Sequence, residues 1–283
     1  ASLFFTAAQS RAEFQDGHEL TRVFRQSDQD FIELLNRVRT GEPSDSDLIR
    51  LNGRHRSLAG APPAGTSILT TTNAVASRMN RLALDQLPGS VAILEAKLSG
   101  SLQKQYDNLL IKHQGNPDQL EQALESAFPA PVRLMIKPGA RVIMVKNDAR
   151  KRWVNGTAAT VVALGSSGLS IVIGQQTYLI ERETWERVEY DFADGRFVRR
   201  VAGAFAQYPI RLAWALTIHK SQGQSLDKAC VDLAGGAFAP GQTYVALSRC
   251  RSFEGLFLQS PLEATDVFAD SHIRDYYGSL ERG

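Results

Sequence analysis

Residues 216–225 read LTIHKSQGQS, so an apolar, partly β-branched segment runs directly into His, Lys, Ser, Gln and Gly. The apolar part predicts a short buried strand, and the polar part with its glycine predicts a loop at the carboxyl end of that strand. The carboxyl ends of parallel strands line the crevice in which α/β proteins bind ligands. Small hydroxyls, a lysine and closely approaching backbone amides suit phosphate groups. For the loop taken alone, an ordinary capped turn is the alternative.

The flanking sequence alternates between predicted strands and predicted helices. One helix is marked by polar capping residues at 27–30, a glycine at 41 and an i, i+3, i+4, i+7 stripe of Phe31, Leu34, Leu35 and Val38. Further helices are predicted to begin at Ser44, at Asn73 as a cap, and at Gln242 after Pro240-Gly241. Strands are predicted over 68–71, 212–218, 229–233 and 256–258. This alternation is typical of an α/β domain with a parallel sheet.

The middle of the chain has a different pattern. A strand is predicted over 141–146, Asn155-Gly156 is a strong hairpin signal, and short strands follow over 160–164, 169–173 and 177–180. Regularly spaced short strands indicate a small antiparallel barrel or meander of about 50 residues. The sequence therefore predicts an α/β domain interrupted by a β module.

Composition excludes several classes of protein. The chain has 283 residues, of which 43% are hydrophobic and 22% are charged, with a formal net charge of +2. These values exclude a disordered tail, a rod and a disulfide-stapled miniprotein. Cys230 and Cys250 are too few for a disulfide framework and predict a reducing, cytoplasmic location. The apolar runs fall far short of the roughly 20 residues that a membrane span needs, so no membrane partner is expected.

Two stretches carry most of the local positive charge. Residues 133–160 contain seven basic residues and one acid, and residues 196–226 contain five basic residues and no acid. Such stretches favour a track for a polyanion such as nucleic acid. An ordinary solvated surface, with its acids supplied by other segments, is an equal alternative from charge alone.

Three segments in this order resemble the motifs of a known family. Residues 20–26 with the following helix resemble helicase motif IV, 215–225 resemble motif V, and 244–249 (YVALSR) resemble motif VI. Residues 134–147 with Asn155-Gly156 are similar to the family's entry into an SH3-like insertion, and 68–80 resemble its strand–helix with a Thr-Asn pair. The chain thus resembles the C-terminal motor half of superfamily-one DNA helicases of the 5′-to-3′ branch, which includes the RecD-like and petite-integration-frequency enzymes.

The resemblance implies a domain plan and a role for each motif residue. The implied fold is a RecA-like α/β motor domain over 19–153 and 205–283, an SH3-like β-barrel insertion over 154–204, and a terminal helix over 1–18 left from a first motor domain. It implies that Arg249 is the principal arginine finger and Arg25 the second; a surface salt bridge is the alternative for Arg25. Residues implied to bind nucleotide are Gln26, Gln222, Gly223 and Arg249, and residues implied to contact single-stranded nucleic acid are Thr72, Asn73, Thr217, His219, Lys220 and Ser221.

Two features of the family are missing from this sequence. It contains no Gly-Lys dipeptide, which a P-loop requires, and no Asp-Glu pair, which in the family holds Mg²⁺. The chain is therefore expected to be half of a motor: ATP with Mg²⁺ is implied as the cofactor of a full-length parent, with none bound tightly by this chain alone and no metal site of its own. The implied partners are single-stranded DNA and an N-terminal motor domain of the same polypeptide. The rival functions are a non-catalytic single-stranded nucleic-acid binding or adaptor module and, third, a structural interaction domain.

Overall fold

The computed structural model describes residues 24–56, 65–165, 168–193, 196–233, 235–270 and 272. The chain divides into two compact units, Ala1–Thr71 with Ile218–Gly283 and Thr72–Thr217. The expected terminal helix within 1–18 and residues 20–23 of the motif IV segment lie outside the described residues. None of the helices in the described ranges is long and apolar enough to cross a membrane.

The helices of the described residues are α1 (Gln29–Thr40), α2 (Asp45–Asn52), α3 (Asn73–Asp85), α4 (Gly100–Lys112), α5 (Pro117–Ala127) and α6 (Gln242–Leu247). The first seven strands are β1 (Ser67–Thr70), β2 (Ala92–Glu95), β3 (Lys97–Ser99), β4 (Arg133–Ile136), β5 (Arg141–Met144), β6 (Ala158–Gly165) and β7 (Gly168–Ile173). The remaining strands are β8 (Gln176–Ile180), β9 (Glu183–Ala193), β10 (Arg196–Gln207), β11 (Ile210–Leu212), β12 (Ala215–Thr217), β13 (Ala229–Asp232) and β14 (Leu256–Leu258).

Parallel strands form the centre of the first unit. β13 pairs in parallel with β1 on one side and with β14 on the other. All four residues of β1 and of β13 are buried. Strands buried on both faces, with near-continuous apolar sequence, are the pattern of a parallel sheet in an α/β protein. The predicted parallel α/β architecture is confirmed here.

Helix α1 forms as its sequence predicts. The Asp28 carboxylate accepts a hydrogen bond from the Phe31 backbone N–H at 3.3 Å, which satisfies one of the free donors at the helix start. Gly41 ends the helix with φ of 77°, a left-handed conformation that favours glycine. The buried stripe of the helix is the predicted one, Phe31, Leu34, Leu35 and Val38.

The predicted helix at Ser44 is α2, which is tied to α1 by an ion pair. Ser44 and Asp47 form a reciprocal capping box. Arg37 of α1 donates to both carboxylate oxygens of Asp47, at 2.7 and 2.8 Å. The hydrogen bonds from Arg37, with those from Ser44, hold the pKa of Asp47 well below its usual range.

The predicted β meander forms the larger sheet of the second unit. Five antiparallel strands lie in the order β11-β5-β6-β7-β8, and the Asn155-Gly156 turn connects β5 to β6. Its core includes Met144, Leu169, Ile171 and Ile210, all fully buried. The sheet also contains β5 and β11, which lie outside the SH3-like insertion predicted over 154–204. The boundaries of that insertion stay a prediction.

A second antiparallel sheet, in the order β3-β10-β9, was not predicted. Phe205 of β10 is fully buried, and its ring stacks on Phe128 and meets Trp185 edge-on. At the far end of the long β9–β10 hairpin, Phe192 and Phe197 are exposed cross-strand neighbours whose ring centroids are 5.3 Å apart.

The strand predicted over 212–218 is too long: β12 covers only Ala215–Thr217 of that range, and Leu212 is the last residue of β11. β11 ends at Leu212, where its antiparallel pairing with β5 also ends. The Ala213 N–H still donates to the Arg141 carbonyl at 2.9 Å, and β12 begins two residues later. The apolar run over 212–218 contains no signal for where β12 begins, so its periodicity predicted one longer strand.

Helix α3 begins one residue earlier than predicted. Thr72, not Asn73, is the cap, since its hydroxyl accepts from the Val75 N–H at 3.4 Å. Leu82 is exposed, and the buried positions of the helix are Ala76, Asn80 and Leu84.

Candidate arginine site and nucleic-acid contacts

Arg25 is held by two residues that are distant in sequence. Its Nε donates to the Ser225 hydroxyl at 3.0 Å, and its Nη1 donates to the Ser248 carbonyl at 3.0 Å. Ser225 closes the loop that follows β12, and Ser248 is the C-cap of α6. The motif V and motif VI segments therefore meet at Arg25, and its partners are a hydroxyl and a carbonyl instead of the carboxylate of a surface salt bridge.

Gln26 lies beside Arg25 and anchors the same segment. Its side chain is buried, with 6% of its surface exposed. The Nε2 atom donates to the Ser248 carbonyl at 3.0 Å and to the Cys250 carbonyl at 2.8 Å. The structure gives Gln26 an anchoring role beside the arginines, and a nucleotide contact by this residue stays a prediction.

Arg249 lies two residues past the end of α6, which is shorter than the predicted helix over 242–249. Its Nε donates to the Val245 carbonyl and its Nη2 donates to the Ser248 hydroxyl, both at 2.9 Å. Burial, and next the positive charge of Arg25, lower the pKa of Arg249. The guanidinium stays charged because the ordinary pKa of arginine is so high. Two cations are thus held close together.

A cavity of about 390 Å³ opens beside Arg25 and Ser248, and Arg249 is not among the residues that line it. Arg25, Ser225, Tyr244 and Ser248 line one part of it, and the apolar side chains of α1 line another. Two guanidinium nitrogens, Nη2 of Arg25 and Nη1 of Arg249, make no hydrogen bond to any residue in the described ranges. An anion that approaches these arginines meets donors that are already oriented.

The loop after β12 is fixed by local hydrogen bonds. The Ile218 carbonyl accepts from the Ser221 hydroxyl at 2.7 Å, and the Lys220 carbonyl accepts from the Gln224 amide at 3.0 Å. Gly223 has φ of 82°, and open space surrounds the position of a Cβ there, so backbone conformation is what favours glycine. Gln222 and Gly223 are both exposed, which leaves them accessible to a ligand.

No protein-family model matches the chain. Over 271 residues the chain is 35% identical to a protein of Rattus norvegicus described as ATP-dependent DNA helicase PIF1, and 34% identical to the Homo sapiens protein of the same description. Each alignment covers 94% of this chain and 38% of the relative. The chain is a homologue of the Pif1 family of superfamily-one DNA helicases. It spans less than two fifths of the length of these mammalian Pif1 relatives.

Solved Pif1 structures have the same fold. Bacteroides Pif1 in complex with ADP-AlF4 matches with a TM-score of 0.73 and 26% identity, over 98% of this chain and 64% of that one. Bacteroides Pif1 bound to ssDNA matches with a TM-score of 0.67 and 27% identity, over 97% of this chain and 63% of that one. The resemblance to superfamily-one helicases that the motifs predicted is confirmed. The roles of individual residues are not tested by these matches.

The residues predicted to contact nucleic acid in the Pif1-like motif V segment differ in how exposed their side chains are. His219 is exposed and Lys220 is half-buried. Ser221 is fully buried and its hydroxyl donates within the turn, and a nucleic-acid contact by this residue stays a prediction. Thr217, in the second unit, is also buried, and its contact with nucleic acid likewise stays a prediction.

Thr72 and Asn73, the Thr-Asn pair of the Pif1 resemblance, lie at the start of α3 in the second unit. Thr72 is exposed. The Asn73 Oδ1 atom is shielded from solvent and has no hydrogen-bond partner in the part of the chain that the structure describes. Backbone N–H groups at a helix start are favourable for phosphate, so the position remains suited to a nucleic-acid contact.

Five of the twelve basic residues in the two stretches form ion pairs with acids of the second unit. Lys137 is buried and donates to the Leu87 carbonyl at 2.8 Å. The ion pairs are Arg133–Glu95, Lys146–Glu183, Arg152–Asp148, Arg199–Glu186 and Arg200–Glu189. Most of these acids come from other segments, which favours the solvated surface over a polyanion track for these residues.

The chemistry of the donors present fits a phosphate and does not fit a metal ion. Within the described ranges, no group of three or more His, Cys, Asp or Glu side chains is placed to hold a metal. Arg25 and Arg249 supply only hydrogen-bond donors and positive charge.

The two cysteines are free and buried. Burial, with a smaller effect from Asp232, raises the pKa of the Cys230 thiol to about 12, and burial also raises the pKa of Cys250. A protonated, buried thiol is chemically inert. These cysteines therefore serve packing, and the cytoplasmic location stays a prediction.

Proposed function

We propose that the chain is the second RecA-like motor domain of an ATP-dependent DNA helicase, with an SH3-like insertion in its middle. In this proposal the chain works with a P-loop domain of the same polypeptide and supplies Arg249 and Arg25 to the ATP site. The length of the Pif1 relatives supports the proposal, since the chain spans only 38% of the rat and human proteins. The β5–β8 meander supports the SH3-like assignment.

The observation that carries the proposal is the pair of anchored arginines. Each guanidinium uses two nitrogens to fix its own position and leaves one terminal nitrogen without a hydrogen bond to the residues that the structure describes. Phosphoryl transfer builds up negative charge on the γ-phosphate oxygens, and preorganised donors stabilise that charge without reorganising. A purely structural domain has no use for two cations that are both fixed at Ser248, one of them lining a cavity.

The chain's own residues then have defined tasks. ATP with Mg²⁺, when bound, supplies the phosphoryl group, and the partner domain supplies the P-loop and the metal ligands. Arg249 and Arg25 orient toward the γ-phosphate and meet its charge, and neither moves a proton. Gln26 holds the Arg25 segment, while exposed Gln222 and Gly223 face ligand from the loop after β12.

For nucleic acid, we propose that single-stranded DNA is the partner and that its backbone is contacted by His219 and Lys220 in the first unit and by Thr72 and Asn73 in the second. A Bacteroides relative is described as bound to ssDNA. Side-chain hydroxyls, amides, lysine and helix starts are the usual contacts to phosphate. These contacts position the strand and carry no sequence preference.

The proposal is tested by steady-state ATP hydrolysis of the full-length polypeptide with single-stranded DNA. Arg249→Ala should lower kcat by at least about a hundredfold, and Arg25→Ala should lower it as well, because supplied arginine fingers are worth roughly 10³ to 10⁵ in rate. Arg251→Ala is the matched control, because Arg251 is an exposed neighbour paired with Asp227 and should keep wild-type kcat. Wild-type kcat in both Arg25→Ala and Arg249→Ala would favour the non-catalytic adaptor.

A further inference from the structure

Ser248 is the residue at which both arginines are fixed. It is buried, with 3% of its surface exposed. Its carbonyl accepts hydrogen bonds from Arg25 Nη1 and from Gln26 Nε2, both at 3.0 Å. Its hydroxyl accepts from Arg249 Nη2 at 2.9 Å. Ser248 thus contacts both guanidiniums, that of Arg25 through its backbone carbonyl and that of Arg249 through its side-chain hydroxyl.

The direction of the Ser248 hydroxyl is also determined. The hydroxyl donates its hydrogen to the Val245 carbonyl at 3.1 Å, so its lone pairs remain for the Arg249 guanidinium. The Val245 carbonyl accepts Arg249 Nε at 2.9 Å as well. Val245 is in the last turn of α6, where carbonyls lack intrahelical partners. The guanidinium is therefore held at two nitrogens by a closed triangle of hydrogen bonds.

We propose that Ser248 is a positioning residue that sets the geometry of Arg249 through its hydroxyl and that of Arg25 through its carbonyl. The inference rests on the proposed role of the two arginines at the ATP site. Like charges repel, so two neighbouring guanidiniums separate unless fixed acceptors hold them. The Ser248 oxygens are such acceptors, and neither needs to touch the nucleotide.

The hydroxyl and the carbonyl can be separated experimentally. Ser248→Ala removes the acceptor for Arg249 Nη2 and leaves the backbone contact with Arg25 unchanged. Arg249 then keeps one anchor, at Val245, and samples orientations that do not meet the phosphate. A misplacement on the order of 1 Å costs about a hundredfold in rate at worst, so a loss of roughly tenfold in kcat, with little change in KM, is expected.

The other variants test the chemistry of the site against packing. Ser248→Thr keeps the hydroxyl and should recover most of the kcat. Ser248→Cys keeps the volume but offers a weak sulfur acceptor, so it should lower kcat without leaving a cavity. Ser252→Ala is the matched control: the Ser252 hydroxyl accepts from the Gly255 N–H at 3.2 Å and contacts neither arginine. Thermal melting of each variant confirms that it is folded, and Ser248→Cys replaces Ser248→Ala should the latter unfold.

The deciding experiment is a double-mutant cycle of Ser248→Ala and Arg249→Ala in the DNA-stimulated ATPase of the full-length polypeptide. A positioning role predicts that Ser248→Ala lowers kcat in the wild type and adds almost nothing once Arg249 is gone. Losses that multiply, or wild-type kcat in folded Ser248→Ala, would overturn the role of Ser248 while leaving the arginine fingers in place. Wild-type kcat in Arg249→Ala itself would instead refute the proposed function, and the Ser248 inference with it.

Discussion

Gln26→Ala is the substitution whose cost follows most directly from the structure. The side chain is buried and donates from Nε2 to the carbonyls of Ser248 and Cys250. Ser248 keeps the Arg25 donor, so its carbonyl loses only the net value of one hydrogen bond, about 0.5–1.5 kcal/mol. The Cys250 carbonyl loses its side-chain donor in a buried site, at about 1–3 kcal/mol. We expect a total destabilisation of about 2 to 4 kcal/mol.

Hydrogen–deuterium exchange of the α1 amides is the suitable assay. Tryptophan fluorescence would not report unfolding of the first unit, because all three tryptophans lie in the second unit. A loss of about 2 to 4 kcal/mol corresponds to protection factors roughly 30- to 1000-fold lower, since 1.4 kcal/mol is a factor of ten. Gln29→Ala, three residues away and exposed, is the control and should change stability by less than about 0.5 kcal/mol. If Gln26→Ala is as mild as the control, the anchoring role is refuted.

Two further predictions concern pH and salt. Because Arg37 and Ser44 lower the folded-state pKa of Asp47 below its usual value of 3.8, the ion pair stabilises the fold above about pH 4 and loses that contribution as the pH falls below it. Urea unfolding of wild type and Asp47→Asn should therefore differ by a constant amount between about pH 5 and 7 and converge toward about pH 2; a gap that widens in acid would contradict this assignment. Single-stranded DNA should bind the isolated chain weakly, at about micromolar affinity or worse, with log affinity falling linearly with log salt. Lys220→Ala should reduce that slope by about 0.7 in a fluorescence titration and Lys228→Ala, in contrast, should not; equal slopes would exclude Lys220 from the interface.

The sequence correctly predicted the elements that depend on interactions between residues close together in the chain. The caps of α1 and α2, the stripe from Phe31 to Val38 and the Asn155-Gly156 turn all depend on neighbours within a few residues, and all are confirmed. The motif segments predicted the family for the same reason, since each is short and contiguous. The β9–β10 hairpin was missed because much of its length is exposed and polar residues interrupt its apolar pattern.

What the sequence could not predict depends on pairings between distant residues. Ser225 and Ser248 were not expected in the site, because Arg25 reaches them across about 200 positions in the chain. The break between β11 and β12 is set by pairing with β5, which periodicity does not contain. The basic stretches looked unpaired because most of their acids lie in other segments. The sequence motifs therefore predict which arginines lie at the site, but they do not predict which acceptors orient those arginines.

The most direct test of the proposed arginine-finger role compares two affinities of the full-length polypeptide, one for ADP with aluminium fluoride and one for ADP alone. Both affinities are measured for the wild type and for Arg249→Ala. An arginine that meets charge developing on the transferred phosphoryl group contributes mainly to binding of the transition-state mimic. We predict that Arg249→Ala weakens binding of the fluoride complex by about a hundredfold or more and changes ADP binding by less than about threefold. Equal effects on both ligands, or no effect on the fluoride complex, would contradict the claim that this chain supplies an arginine finger.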